Sequence, residues 1–168
     1  MKKTKIYIFS FLLIFFIIMP SQSSMPIEPL SDIVNSSPYI FIGKFISSKR
    51  TPKKITRGFV DYYYYITRLQ IDTLIKYKEG KKIKYIDVVN VPLAPNAVDT
   101  AKNIQYLYFL SGATTVLDSG IDLMVERQYK IYDGKIFPTY ILDESYEQPL
   151  SKFLLKIKKI VKEQTKIK

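Results

Sequence analysis

The sequence contains neither cysteine nor histidine, and these two absences exclude most of the chemistry open to a small protein. Without a thiol there is no disulfide, no nucleophilic thiolate and no cysteine to carry a lipid, so the core must hold by packing alone. Without histidine the usual general base at neutral pH is missing, and lacking both residues removes nearly every zinc site. A pair of carboxylates could still act as acid and base, and Glu126, Asp143, Glu144 and Glu147 are the acids a small carboxylate-dependent hydrolase would draw on. Asp143-Glu144 precedes the C-terminal amphipathic segment, a place where acids commonly sit as solvated connectors. No serine stands in a Ser-x-x-Lys frame before a helix. Asp118 and Asp122 bracket Gly120 without the ligand density of a calcium loop. The sequence therefore predicts no catalytic, cofactor-binding or metal-binding residue, and a protein that is not an enzyme.

Acidic residues are also scarce, and unevenly so. The formal charge is +11. Residues 1–23 hold three lysines and no acid; residues 24–150 hold sixteen basic and fourteen acidic residues; residues 151–168 hold seven lysines against Glu163 alone. The body is close to neutral and the basic character lies in the tail. A nucleic-acid binder would carry its basic face on the domain itself, so the charge pattern argues against that partner.

Lys2, Lys3 and Lys5 precede an apolar run from Ile6 to Met19, broken only by Ser10 and ended by Pro20. Ser21-Gln22-Ser23 then places small residues at the −3 and −1 positions of a cut before Ser24. These are the three parts of a secretory signal peptide. A helix over the apolar run spans ~21 Å, short of the ~30 Å hydrocarbon core, so a cleaved signal fits better than a retained anchor. The expectation is a signal over residues 1–23 and an exported domain over residues 24–168. A chain of that size buries ~70% of its unfolded surface.

Ser31 before Asp32-Ile33-Val34 reads as the N-cap of a short helix that Pro38 ends. Strand-like runs follow over residues 39–47, 59–75, 83–91, 104–110, 121–132 and 135–142, rich in aromatic and β-branched residues. Residues 49–57, polar and basic around Pro52, read as a loop. Tyr65, Thr67, Leu69 and Ile71 alternate with Ile66, Arg68, Gln70 and Asp72; from Thr67 onward the first set points inward. Near Tyr62 the alternation blurs, as in a bulge or a strand covered on both faces. Residues 76–82 turn around Gly80, and residues 92–103 make a long connection. Asp133-Gly134 is a hairpin turn, because both central positions need positive φ. About six strands joined by tight turns imply an antiparallel, closed or nearly closed barrel.

Leu150, Phe153, Leu154, Ile157, Ile160 and Val161 recur at three- and four-residue spacing and predict a C-terminal amphipathic helix over about residues 150–166. Ser151 is placed as its cap, with Leu150 and Leu155 as a hydrophobic staple. Lys152, Lys156, Lys158, Lys159 and Lys162 fill the other face. They either stay in water while the apolar face docks on the barrel, or contact an anionic surface.

Several segments resemble the netrin-like, or tissue-inhibitor-of-metalloprotease-like, group of five-stranded OB-type barrels found in many small secreted bacterial proteins. They are Ser31-Asp32-Ile33-Val34, Tyr39-Ile40-Phe41-Ile42-Gly43-Lys44-Phe45, Leu69-Gln70-Ile71-Asp72-Thr73-Leu74-Ile75-Lys76, Tyr106-Leu107-Tyr108-Phe109-Leu110 and Tyr132-Asp133-Gly134-Lys135-Ile136. The resemblance spans roughly residues 28–141 and implies a mainly β, OB-like (netrin-like) barrel that binds other molecules. Two departures stand out. Gly80 comes four residues after Lys76, where similar proteins place a glycine straight after that lysine. The N-terminal cysteine by which inhibitory members reach a protease's metal is absent. The expected function is thus an exported, non-enzymatic binding module that engages a protein or cell-envelope component. A membrane-surface or polyanion binder acting through the C-terminal lysines is the alternative. The tyrosine run over residues 62–65 could stack bases or sugars, or simply pack a core and shield a sheet edge.

Overall fold

The computed structural model describes residues 29–77, 83–91, 97–112, 120–138 and 147–166; the signal segment lies outside them. In chain order the elements are α1 (Leu30–Ser36), β1 (Tyr39–Arg57), β2 (Val60–Lys76), β3 (Tyr85–Asn90), β4 (Gln105–Gly112), β5 (Leu123–Tyr132), β6 (Lys135–Pro138), β7 (Gln148–Pro149) and α2 (Leu150–Lys166). β1 pairs with both β2 and β4, β2 with β3, and β4 with β5, all antiparallel. The ring closes where Val89 of β3 pairs with Met124 of β5, in parallel. Five strands thus form a closed barrel in the order β1-β2-β3-β5-β4, compatible with an OB-type barrel. This corrects the expectation of a purely antiparallel sheet, and the reason is parity. An odd number of strands cannot close into a ring with every neighbour antiparallel.

Side-chain alternation divides the apolar residues into two cores. Phe41, Leu69, Ile86, Val88, Val98, Tyr106, Tyr108, Leu110 and Val125 fill the barrel. Ile40, Ile42, Leu107, Phe109 and Ile136 point outward and are covered by Ile33 and Val34 of α1 and by Phe153 and Ile157 of α2. β1 and β4 are therefore buried on both faces. That is why Ile40-Phe41-Ile42 and residues 106–110 read as continuous apolar runs rather than alternating ones. At the tighter alternation of β2, Thr67 and Leu69 are inside while Arg68 is in water, as expected.

β1 has to coil sharply to serve both neighbours. Its register shifts between Ile42 and Gly43, and a Cβ built at Gly43 would sit 2.0 Å from the Gln70 carbonyl oxygen. Only glycine allows the two backbones to approach so closely. At the other hairpin, Asp133 and Gly134 have φ of 48° and 67°, the type I′ geometry expected of them. β5 divides its edge: its start closes the barrel with β3, and its end pairs with β6.

Both predicted helix caps are corrected. α1 begins at Leu30, one residue before Ser31, and has no side-chain cap; the Ser31 hydroxyl donates to Asp32 instead. α2 begins at Leu150, so Ser151 lies within it, and the start is fixed by the Leu150 N–H donating to the Gly134 carbonyl at 2.9 Å. Leu155 is exposed and staples nothing. At the far end of α1, Lys76 Nζ donates to the Val34 carbonyl at 2.6 Å, placing a cation where carbonyls are left over.

Candidate functional site

β1 and β2 are far longer than the barrel needs. β1 pairs with β4 only over residues 39–43, and β2 pairs with β3 only over residues 65–70. From about residue 50 to residue 64 the two strands continue as a ribbon paired only with each other among the described residues. The expected loop over residues 49–57 is thus corrected: it is the outer half of β1. Pro52 tolerates this because it lies in a bulge, where Thr51-Pro52-Lys53 face the single residue Tyr64. The Thr51 hydroxyl donates to the Tyr64 carbonyl at 2.9 Å and pins the extra residues.

The ribbon turns through Gly58-Phe59, between the paired residues Arg57 and Val60. Gly58 has φ +62°, the conformation a type II′ turn requires at its first central position. Phe59 follows with its ring fully in solvent, at 108% relative exposure, and Val60 is 50% exposed. Behind this apolar tip stand Lys49, Arg50, Lys53, Lys54 and Arg57 against the single acid Asp61, a net +4. Residues 24–150 carry only +2 in all, so the remainder of the body is slightly acidic.

Register explains how the side chains sort. Ile55 and Tyr62 face each other, and Tyr64 packs with Val89 beside Ile55, Ile66, Val91 and Ile121. That cluster anchors the base of the ribbon. On the opposite face the Arg50 guanidinium lies 3.3 Å from the Tyr63 ring centroid, a cation held over a π-face. Further out, Asp61 accepts from Lys54 Nζ at 2.5 Å and from the Thr56 hydroxyl at 2.6 Å. These contacts hold the Asp61 carboxyl below its ordinary value and the Lys54 ammonium above its own. The tyrosine run therefore does two jobs: Tyr64 packs, and Tyr63 stacks on arginine.

The C-terminal lysines are placed as the helical wheel requires. Lys152, Lys156, Lys158, Lys159 and Lys162 are all exposed on α2, opposite Phe153 and Ile157. Leu155 lies among them at 69% exposure. Of the four acids considered for catalysis, Asp143 and Glu144 lie outside the described residues, as does Asp118. Glu126 accepts from the Ser36 hydroxyl at 3.4 Å, and Glu147 pairs with Lys135. Among the described residues no three of His, Cys, Asp and Glu are grouped to hold a metal ion.

One buried polar group inside the barrel is unspent. Tyr106 donates to Asp99 at 2.5 Å, and Gln128 donates to the Ala97 carbonyl while accepting from the Asp99 N–H. The Tyr108 hydroxyl, beside Tyr106 in the same core, has no hydrogen-bond partner among the described residues. Burial raises both phenols well above their ordinary value; the Asp99 contact adds to it for Tyr106, and the charges of Tyr106 and Asp99 add to it for Tyr108.

The fold and this site define a closed, OB-compatible barrel from which a basic, aromatic-tipped ribbon projects. Compared with known protein families, curated proteins and solved structures, the chain matches none. Sequence reasoning missed the ribbon because Pro52 and the lysines look like loop residues. The signal was the Gly58-Phe59 pair, a two-residue turn with glycine first, between two β-rich stretches.

Proposed function

We propose that this chain is an exported, non-enzymatic binding module of the netrin-like kind, and that it engages an anionic component of the cell envelope through the β1–β2 ribbon. The observation that carries this reading is the ribbon itself, with a net +4 and a solvent-exposed phenylalanine on a body otherwise slightly acidic. Export is supported by the tripartite N-terminus. The netrin-like part is supported by the strand order and by the quoted segments, and the non-enzymatic part by the lack of histidine and cysteine.

The lysines and the bulge also have a protective effect, since charge and proline on an open edge discourage pairing with other strands. That accounts for Lys53 and Pro52. It does not account for a large apolar side chain at the tip, which protection would replace with a polar one.

The test is co-sedimentation of the chain from Ser24 onward with isolated bacterial envelopes. Wild type should pellet, and a variant carrying Lys49→Glu, Arg50→Glu and Lys53→Glu should stay in the supernatant. Equal recovery of the two proteins would defeat the reading. A second reading, contact through the α2 lysines, is favoured by Leu155 exposed among them; reversing Lys152, Lys156 and Lys159 would then release the protein instead.

A further inference from the structure

We infer that the ribbon tip inserts into the interface of an anionic lipid bilayer. The inference rests on the ribbon being the contact surface, and deepens that reading by naming what the surface meets. Phe59 is fully exposed and packs on nothing among the described residues, and the turn at Gly58 asks only for glycine first; a polar residue would serve at position 59. An aromatic ring held clear of the body on a tight turn is suited to a medium that takes up apolar groups without a shaped pocket. The acyl–headgroup boundary is such a medium.

The cations are spaced to match. Lys54 pairs with Tyr63, three register steps behind the Arg57–Val60 pair, or ~10 Å at the rise of a strand. With Phe59 at the edge of the hydrocarbon, the Lys53–Lys54 level stands among the lipid phosphates, within the depth over which interfacial elements are buried. Asp61 is the one acid within the ribbon, and it would face those phosphates. Lys54 and Thr56 already engage it, which lessens its repulsion. Tyr62 and Tyr63, each partly exposed, lie at the level where tyrosine is favoured in membrane proteins. A soluble polyanion would use the lysines and leave Phe59 in water.

The chain has no tryptophan, so Phe59→Trp supplies a single fluorescent reporter at the tip. Mixing this variant with vesicles of equal parts phosphatidylglycerol and phosphatidylcholine should shift its emission to the blue, and lipids brominated in the acyl chain should quench it. Pure phosphatidylcholine vesicles and high salt should abolish the shift. Phe59→Ser should weaken vesicle binding about tenfold or more without altering the melting temperature, because the ring has no contacts to lose. The triple ribbon reversal should remove binding, and reversal of Lys152, Lys156 and Lys159 should leave it. No shift with a folded protein that still pellets with envelopes, and is released by soluble polyphosphate, would overturn the lipid inference while sparing the ribbon as contact surface. Failure to pellet with envelopes would overturn both. Vesicle binding lost only with the α2 reversal would overturn the inference in favour of the helix.

Discussion

Gly43 has no visible importance in the sequence, where it interrupts an apolar run that would otherwise be a better strand without it. Its role comes entirely from three dimensions: a methyl group there would overlap the Gln70 carbonyl oxygen. Gly43→Ala should therefore force β1 and β2 apart at the bend and lower stability by about 2–4 kcal/mol, read as a clear drop in melting temperature. An unchanged melting temperature would mean that the bend relaxes freely. Tyr106 and Tyr108 set a second test at this scale. Both phenols are raised in the folded barrel by burial, so the folded state keeps its protons where the unfolded chain, with tyrosines near pH 10, gives them up. Stability should be level below about pH 10 and fall as pH rises beyond it. In a spectrophotometric titration these two tyrosines should ionise only as the barrel unfolds. Smooth titration of every tyrosine with the fold intact would contradict the burial.

Among the elements, those with a strong period were legible and those whose form depends on partners were not. The spacing of Phe153, Leu154, Ile157 and Val161 announces α2, and each packs on the outer core as that spacing requires. Asp133-Gly134 announces its turn for the same local reason. The outer half of β1 fails as a strand by composition, because Pro52 and four nearby cations suit a loop; pairing with Val60 to Tyr65 overrides them. The parallel seam follows from a ring of five strands, whereas the strand-like runs number about six, and nothing in any single strand declares it. The candidate site was the least legible part, since exposure of Phe59 is a property of a projecting ribbon and not of residue type. For α2 the packing makes a paired prediction. Ile157→Asp puts a charge into a fully buried position and should cost about 3–5 kcal/mol. Reversing the exposed Lys156, Lys159 and Lys162 to glutamate should leave the melting temperature nearly unchanged. Equal losses from the two variants would show that the helix is held by its charges and not by its apolar face.

At the scale of the whole molecule, the proposed export predicts where the mature N-terminus lies. Mass spectrometry of the protein recovered outside the cell should find it beginning at Ser24 or within a few residues, and intact Met1 in the membrane fraction would argue for an anchor instead. The two-sided burial of β1 has a further consequence for a chain that is made from its N-terminus onward. Ile40 and Ile42 are among the first core residues to be made, and of the side chains that cover their outer face Ile33 and Val34 of α1 precede them, whereas Phe153 and Ile157 of α2 come much later. Until α2 is made, β1 offers a sticky stripe that has α1 alone to shelter it. Docking of α2, lysine-coated on its other face, is the event that ends the exposure. A protein lacking α2 would leave the stripe half covered for any neighbouring chain to find.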